Sequence, residues 1–381
     1  MKTIVLLSFD FPPLSGGISR LCHELAKQLS FTYPNGLIVL TENFAGLSID
    51  PSCETIRTLR LTSTRPIKEW RAYRYLRQLP ASIIICATWY PEGLIALLSR
   101  KHKVVILAHG TEILPAKSKI KRFFWNIFSR WVLAKSDLVI ANSRFTATLA
   151  KEISPQCTVE ALPLAVDVQR FLPTDKKLAK ALLKLTNKVT LFTVARLHRY
   201  KGVETIIEAI SLLTLQEKEK IQYLVAGTGP YLKSLVEKVK VLKLESQVKF
   251  LGSLTDNKLV EFYQASDLFL LCSWQEKSEQ NVEGFGLVFL EAQACGTPVV
   301  GTKSGGIPDA VEHACGGWLI LEKDTQQLLQ YLKRFIANPD ELTSQGLLAR
   351  DRVLKNFTWK TYLEKFLYLC EKHLILKQNN P

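Results

Sequence analysis

Short apolar runs of strand length alternate with amphipathic segments along the whole chain, and the series occurs twice. The first series runs Thr3–Ser8, Leu37–Thr41, Ser82–Ala87, Val104–Ala108 and Leu138–Ala141, with helical patterns over Ile18–Leu29, Ile67–Leu79, Glu92–Leu98 and Ile120–Ala134. The second runs Val189–Ala195, Gln222–Ala226, Val248–Leu251, Leu268–Cys272, Pro298–Thr302 and the short Trp318–Leu321, interleaved with helices such as Val203–Leu213, Tyr231–Leu242 and Lys258–Gln264. Unbroken apolar strands separated by helices predict parallel sheets buried on both faces, an α/β class with doubly wound domains. At 381 residues and 47% apolar content the chain suits two such domains. The polar, lysine-rich stretch Val166–Lys188, stiffened by Pro173 with Pro163 just ahead of it, reads as the linker. The expected division is 1–168, 169–357 and a terminal helix in 358–381 that crosses back to the first domain. Ligands of such sheets bind at the carboxyl ends of the strands, here in a cleft between the domains.

No apolar run approaches the ~20 residues that span a bilayer. Met1-Lys2 leads directly into strand-like residues, so no signal peptide is expected. Eight cysteines are scattered without a C-x-x-C pair, which favours buried thiols in a reducing cytoplasm over disulfides or zinc. The net charge of +15 is concentrated. Residues 57–135 hold sixteen Lys and Arg against Glu69, Glu92 and Glu112, a net +13. A face of that sign attracts an anionic surface: nucleic acid, an acidic membrane leaflet or a phosphorylated acceptor.

Glu283 to Pro298 reads EGFGLVFLEAQACGTP. A loop carrying Glu283 and Gly284-Phe285-Gly286 feeds a short apolar helix that contains Glu291 and stops at Gly296 and Pro298. A carboxylate inside such a helix needs a partner, either a neighbouring loop or a hydroxyl-rich ligand. Other strand ends carry complementary groups. Gly16-Gly17 precede a helix, where free amides and the dipole suit a phosphate. His109-Gly110 follow a strand directly. Arg196, and Lys201 five residues later, offer a clamp for a diphosphate. Gly227-Thr228-Gly229-Pro230 and Ser304-Gly305-Gly306 allow close backbone approach. Glu42, after the second strand, occupies the place of a dinucleotide fold's ribose ligand, but the first loop is not G-x-G-x-x-G.

In that order, these motifs with Thr297-Pro298-Val299-Val300 resemble the nucleotide-sugar glycosyltransferases of family 4, which have the GT-B fold of two facing Rossmann-like domains. The likeness covers nearly the whole chain, strongest over Arg196–Pro308 and weakest over Asp50–Lys101. It implies that Arg196 and Lys201 neutralise the donor diphosphate, with Gly16 and Gly17 amides beside it and the Gly227 and Gly229 loop at the nucleotide. Glu291 would bind the ribose, and Glu283, with the Phe285, Gly286 and Leu287 backbone, the transferred sugar. His109 would contact that sugar from the other domain. Enzymes of this kind retain anomeric configuration and need no divalent metal or other cofactor; the chain lacks an Asp-x-Asp to hold one. The long polar segment Trp274–Val282 and Asp309, where Glu is usual, depart from the common pattern.

On the acceptor side, Ile120, Phe123, Phe124, Ile127, Phe128 and Trp131 recur at helical spacing, a stripe that reads first as core packing. Lys68, Arg71, Arg74 and Arg77, interleaved with Trp70, Tyr73 and Tyr75, form the better candidate surface for a lipid-linked or otherwise anionic acceptor. The leading expectation is therefore a cytoplasmic, retaining hexosyltransferase of polysaccharide or glycolipid synthesis, touching an anionic membrane peripherally. A nucleotide-sugar 2-epimerase of the same fold and a non-catalytic acceptor-binding protein are the alternatives. A nucleic-acid partner is not expected, since no recognised module accompanies the basic segment.

Overall fold

A computed structural model describes residues 3–14, 16–43, 56–62, 64–110, 112–114, 119–276 and 281–374, the side chains of 119–124 excepted. The chain divides into two compact units, Met1–Pro163 with Trp359–Pro381, and Leu164–Thr358. In the first unit, β1 (Ile4–Leu7), β2 (Leu37–Glu42), β3 (Thr58–Leu61), β4 (Ile83–Cys86), β5 (Lys103–Ala108), β6 (Leu138–Ala141) and β7 (Val159–Ala161) form a sheet ordered β3-β2-β1-β4-β5-β6-β7. In the second, β8 (Val189–Val194), β9 (Ile221–Ala226), β10 (Val248–Gly252), β11 (Leu268–Leu271), β12 (Val299–Thr302) and β13 (Gly317–Ile320) are ordered β10-β9-β8-β11-β12-β13. All pairings within both sheets are parallel. Each sheet reverses its strand order beside its first strand, which opens a crevice at the carboxyl ends there.

The central strands are buried along their whole length, as β1 and β6 illustrate, and this is why they read as unbroken apolar runs. The edge strands β3 and β7, absent from the sequence reading, are half-exposed and carry Arg60 and Glu160. In the second unit, Leu191, Tyr223, Leu270 and Ile206 pack on one face of the sheet. Phe192, Phe269, Phe289 and Tyr263 pack on the other, meeting edge to face.

The stretch Val166–Lys188 is not a free linker. Lys176–Leu182 forms a helix capped by Asp175, and Lys176 and Lys180 both pair with Asp267, at 3.5 and 2.5 Å. These two lysines are paired within the fold, so their polarity did not mark exposure, while Lys177 and Lys184 are exposed. The terminal helix Trp359–Leu374 packs on the helix Gly17–Thr32 within the first unit, and Lys372 and His373 bind Glu160. Among the described residues seven cysteines are free, six of them buried, and no helix is long and apolar enough to cross a membrane.

Candidate functional site

In the second unit, the candidate residues gather on the loops that leave β8, β9, β11 and β12. Arg196 follows β8 and is exposed. Lys201 ends the short 3-10 helix Arg199–Lys201 that follows, and its ammonium donates to the Glu283 carboxylate at 2.6 Å. The two groups are 13% and 17% exposed, so each depends on the other for solvation. Burial alone would push the Lys201 pKa down; the Glu283 charge, the Tyr200 hydroxyl and the hydrogen bonds to both together outweigh it, and the net shift is upward. Lys201 is therefore a fixed cation at neutral pH.

Glu283 is held through its backbone as well: its carbonyl accepts from Gly306 N–H at 2.9 Å. Phe285 turns its ring into the core, leaving only its main chain for a ligand. Gly286 opens the helix Leu287–Ala294, and half-buried Leu287 is its first residue. One turn on, Glu291 is buried and accepts from the Tyr263 hydroxyl at 2.8 Å. The partner that a carboxylate in an apolar helix requires is thus at least partly internal.

Gly227 and Gly229 serve the site indirectly. A Cβ at Gly227, where φ is +116°, would lie 1.9 Å from the Ala195 carbonyl oxygen, and one at Gly229 would lie 2.4 Å from that of Leu197. Leu197 N–H also donates to Thr228 O at 2.8 Å. This loop clamps the backbone on both sides of Arg196. Gly16 and Gly17 of the first unit differ: both are exposed, and a Cβ at either would meet nothing. Gly16 is extended, so neither packing nor backbone strain calls for glycine there. Open space over two helix-start amides suits an anion.

His109, at the end of β5, is fixed from three sides. Its Nε2–H donates to the Ala87 carbonyl at 2.7 Å, its N–H donates to the Glu112 carboxylate, and its carbonyl accepts from Asn142 Nδ2 at 2.9 Å. A carbonyl can only accept, so Nε2 carries a proton and Nδ1 is the ring nitrogen left to face a ligand. Glu42 does not await a ribose: it pairs with Lys68. That pairing withdraws Lys68, which is buried, from the basic surface proposed for it, while Trp70, Arg71, Arg74 and Arg77 remain exposed.

The aromatic stripe of the helix Lys119–Lys135 also departs from expectation. Ile127, Phe128 and Trp131 are 51%, 50% and 41% exposed, and the helix buries Ser129, Val132 and Leu133 instead. Ile120, Phe123 and Phe124 lie outside the described side chains. Among the described residues no group of three His, Cys, Asp or Glu could hold a metal ion.

Two family models match consecutive parts of the chain: "Glycosyltransferase Family 4" over residues 15–170 and "Glycosyl transferases group 1" over residues 174–351. The chain belongs to glycosyltransferase family 4. It is a glycosyltransferase with the GT-B fold. A relative, the GDP-mannose-dependent alpha-(1-6)-phosphatidylinositol monomannoside mannosyltransferase of Mycobacterium tuberculosis, is 26% identical over 96% of this chain and 97% of its own. The N-acetyl-alpha-D-glucosaminyl L-malate synthase of Bacillus anthracis is 28% identical over 68% of this chain and 65% of its own. Anabaena HepE, solved in complex with UDP, superposes with a TM-score of 0.77 at 21% identity, covering 98% of this chain and all of that one. Sucrose-phosphate synthase from Thermosynechococcus elongatus gives a TM-score of 0.78 at 22% identity over 99% of this chain and 100% of its own. The epimerase alternative finds no support among these relatives.

Proposed function

We propose that this family 4 enzyme transfers a hexosyl unit from a nucleoside diphosphate sugar to a hydroxyl of a lipid-linked or other glycoconjugate acceptor, with retention of anomeric configuration. The observation that carries this reading is the Lys201–Glu283 contact. In a sugar nucleotide the anomeric carbon is bonded to the diphosphate, so a cation for the phosphate and a carboxylate for the sugar hydroxyls must be neighbours, as these two are.

Lys201 and Arg196 take up the charge that develops on the leaving diphosphate, which is where fixed electrostatics lower a barrier most. Gly16 and Gly17 amides serve the same phosphates, and Glu291, oriented by Tyr263, binds the ribose. His109 accepts a sugar hydroxyl at Nδ1. The acceptor hydroxyl attacks on the face the diphosphate leaves, and a phosphate oxygen takes its proton. With two side-chain cations assigned to the leaving group, the reaction requires no divalent metal.

The acceptor reading rests on the first unit. Exposed Ile127, Phe128 and Trp131, with Arg130 among them, form an apolar and basic helix face suited to the interface of an anionic membrane from the cytoplasmic side. Trp70 beneath the Arg74 guanidinium, 4.9 Å away, adds a second such spot.

Thermal shift against UDP, GDP, ADP and their sugars tests the donor assignment. A nucleotide at ~100 times its Kd stabilises the native state by about 2.7 kcal/mol. At roughly 2–4 °C per kcal/mol that is a shift of about 5–10 °C. No shift with any of them would refute the reading.

A further inference from the structure

Glu92 is a buried carboxyl that the reaction does not use. It sits where two ligand-side loops of the first unit meet. Its Oε1 accepts from Phe9 N–H at 3.1 Å, on the loop that leads from β1 to Gly16 and Gly17. Its Oε2 is 2.6 Å from the Thr88 hydroxyl, on the loop after β4 whose Ala87 carbonyl holds His109. The Thr88 hydroxyl has a second neighbour, the Tyr90 carbonyl at 2.9 Å. A hydroxyl has one proton, and a carbonyl can only accept. With Glu92 ionised the single Thr88 proton goes to the carboxylate and the Tyr90 carbonyl is left without it; with Glu92 protonated both contacts are satisfied, the acid donating to Thr88 and Thr88 to Tyr90.

We propose that Glu92 is a positioning residue that, as a neutral acid, ties the Gly16–Gly17 loop to the loop anchoring His109. The inference rests on the assignment of those residues to the donor. Among the described residues, the titratable groups around Glu92 are Asp10 on the loop after β1, Cys22 on the helix Gly17–Thr32 and Cys86 at the end of β4, none of them a cation. Burial raises its pKa above the usual carboxylate range, an effect larger than the opposing hydrogen bonds from Thr88 and Phe9. Burial likewise pushes the Cys22 thiol up to about 12, so it stays neutral beside the acid.

The sign of the linkage is then fixed. With a raised native pKa, the unfolded chain loses this proton first, and stability declines as pH rises from the ordinary carboxylate pKa through the raised one. Gln reproduces both hydrogen bonds of the acid without a titration. Melting curves of E92Q and wild type between about pH 4 and pH 8 should coincide at the acid end, with E92Q increasingly the more stable as pH rises. Parallel curves, or an advantage to wild type at the upper end, would overturn the neutral acid. In transfer assays E92Q should keep the wild-type KM for the donor, and E92A should lose about 10-fold or more in kcat/KM. If E92A does not fold, T88V, which removes only the hydroxyl that takes the acid's proton, replaces it. Wild-type kinetics in the folded variant would overturn the positioning role. Failure of wild type to use any sugar nucleotide would refute the functional reading and leave the melting test standing.

Discussion

Replacing Lys201 by Ala separates two consequences that are easily confused. The Lys201–Glu283 pair is 2.6 Å long with side chains 13% and 17% exposed. Removing one member of a fully buried pair costs about 3–5 kcal/mol, because the other charge is left without solvent or partner. The residual exposure here lowers that to about 2–4 kcal/mol. For a unit of this size, that lowers Tm by about 5–15 °C. K201A should therefore be less stable as well as inactive, and loss of activity alone would say nothing about catalysis. K201A/E283Q removes both charges and should recover most of the lost stability while remaining inactive. E283Q alone strands the ammonium instead, and a bare nucleoside diphosphate then supplies the missing anion.

The assay is a double-mutant cycle in Tm, combined with the Tm shift produced by the preferred nucleoside diphosphate. That shift should be larger in E283Q than in wild type and smaller in K201A. Because the Lys201 pKa is raised, the pair's stabilisation is fully present below the ordinary lysine pKa and is lost only as pH rises through the raised value. The cycle is therefore insensitive to pH in the neutral range. Additive Tm losses in the double variant would refute the pair as a stability element. An active K201A/E283Q would refute Lys201 as the diphosphate cation.

Y263F removes the hydroxyl that donates to buried Glu291 at 2.8 Å, a loss of about 1–3 kcal/mol. Calorimetry should give about 10-fold weaker nucleotide-sugar binding with pyrophosphate binding unchanged; equal losses in both would argue against a ribose role. G229A forces the Leu197 backbone away from a Cβ otherwise 2.4 Å from its carbonyl oxygen, which displaces Arg196. It should lower both Tm and donor affinity, whereas G17A, with open space around its Cβ, should lower affinity alone. I127S/F128S/W131S should abolish co-sedimentation with anionic vesicles and leave transfer to a short soluble acceptor unchanged. Retained sedimentation would remove this helix face from the acceptor reading.

The fold was legible in the sequence because a parallel strand buried on both faces has little choice of composition. Ile83–Cys86 and Val299–Thr302 are apolar runs for that reason. β7, Val-Glu-Ala at a sheet edge, carries no such signal. The helix Arg144–Ile153 went unread although Ser143 caps it by accepting from Thr146 N–H, a cue of the Ser-x-x-polar kind. At the site, Glu291 declared itself as the one carboxylate in an apolar helix. Its Tyr263 partner, and the meeting of Lys201 with Glu283 across 82 residues, are products of tertiary packing that no local pattern encodes. Lysine content misled twice for the same reason: Lys68 and Lys180 look like surface charge in sequence and are paired inside the fold.

Three carboxyls withdrawn from water here are stabilised in three ways, and the differences bear on which of them a ligand can reach. Glu283 is paired with a cation, Lys201. Under the proposed function a diphosphate would compete for that cation, exchanging one anion for another at Lys201 and releasing Glu283 toward a hydroxyl donor. Glu291 is buried and accepts from the Tyr263 phenol, and under the proposed function it binds the ribose. Glu92 has no cation beside it among the described residues and, as an acid whose proton is already committed to Thr88, has little left to offer a hydroxyl-rich substrate. A neutral acid hydrogen-bonded at both oxygens makes a rigid joint, whereas a carboxylate facing a movable cation makes a responsive one. On that criterion the responsive group belongs to the second unit and the rigid joint to the first, at the base of the loops that carry Gly16, Gly17 and His109.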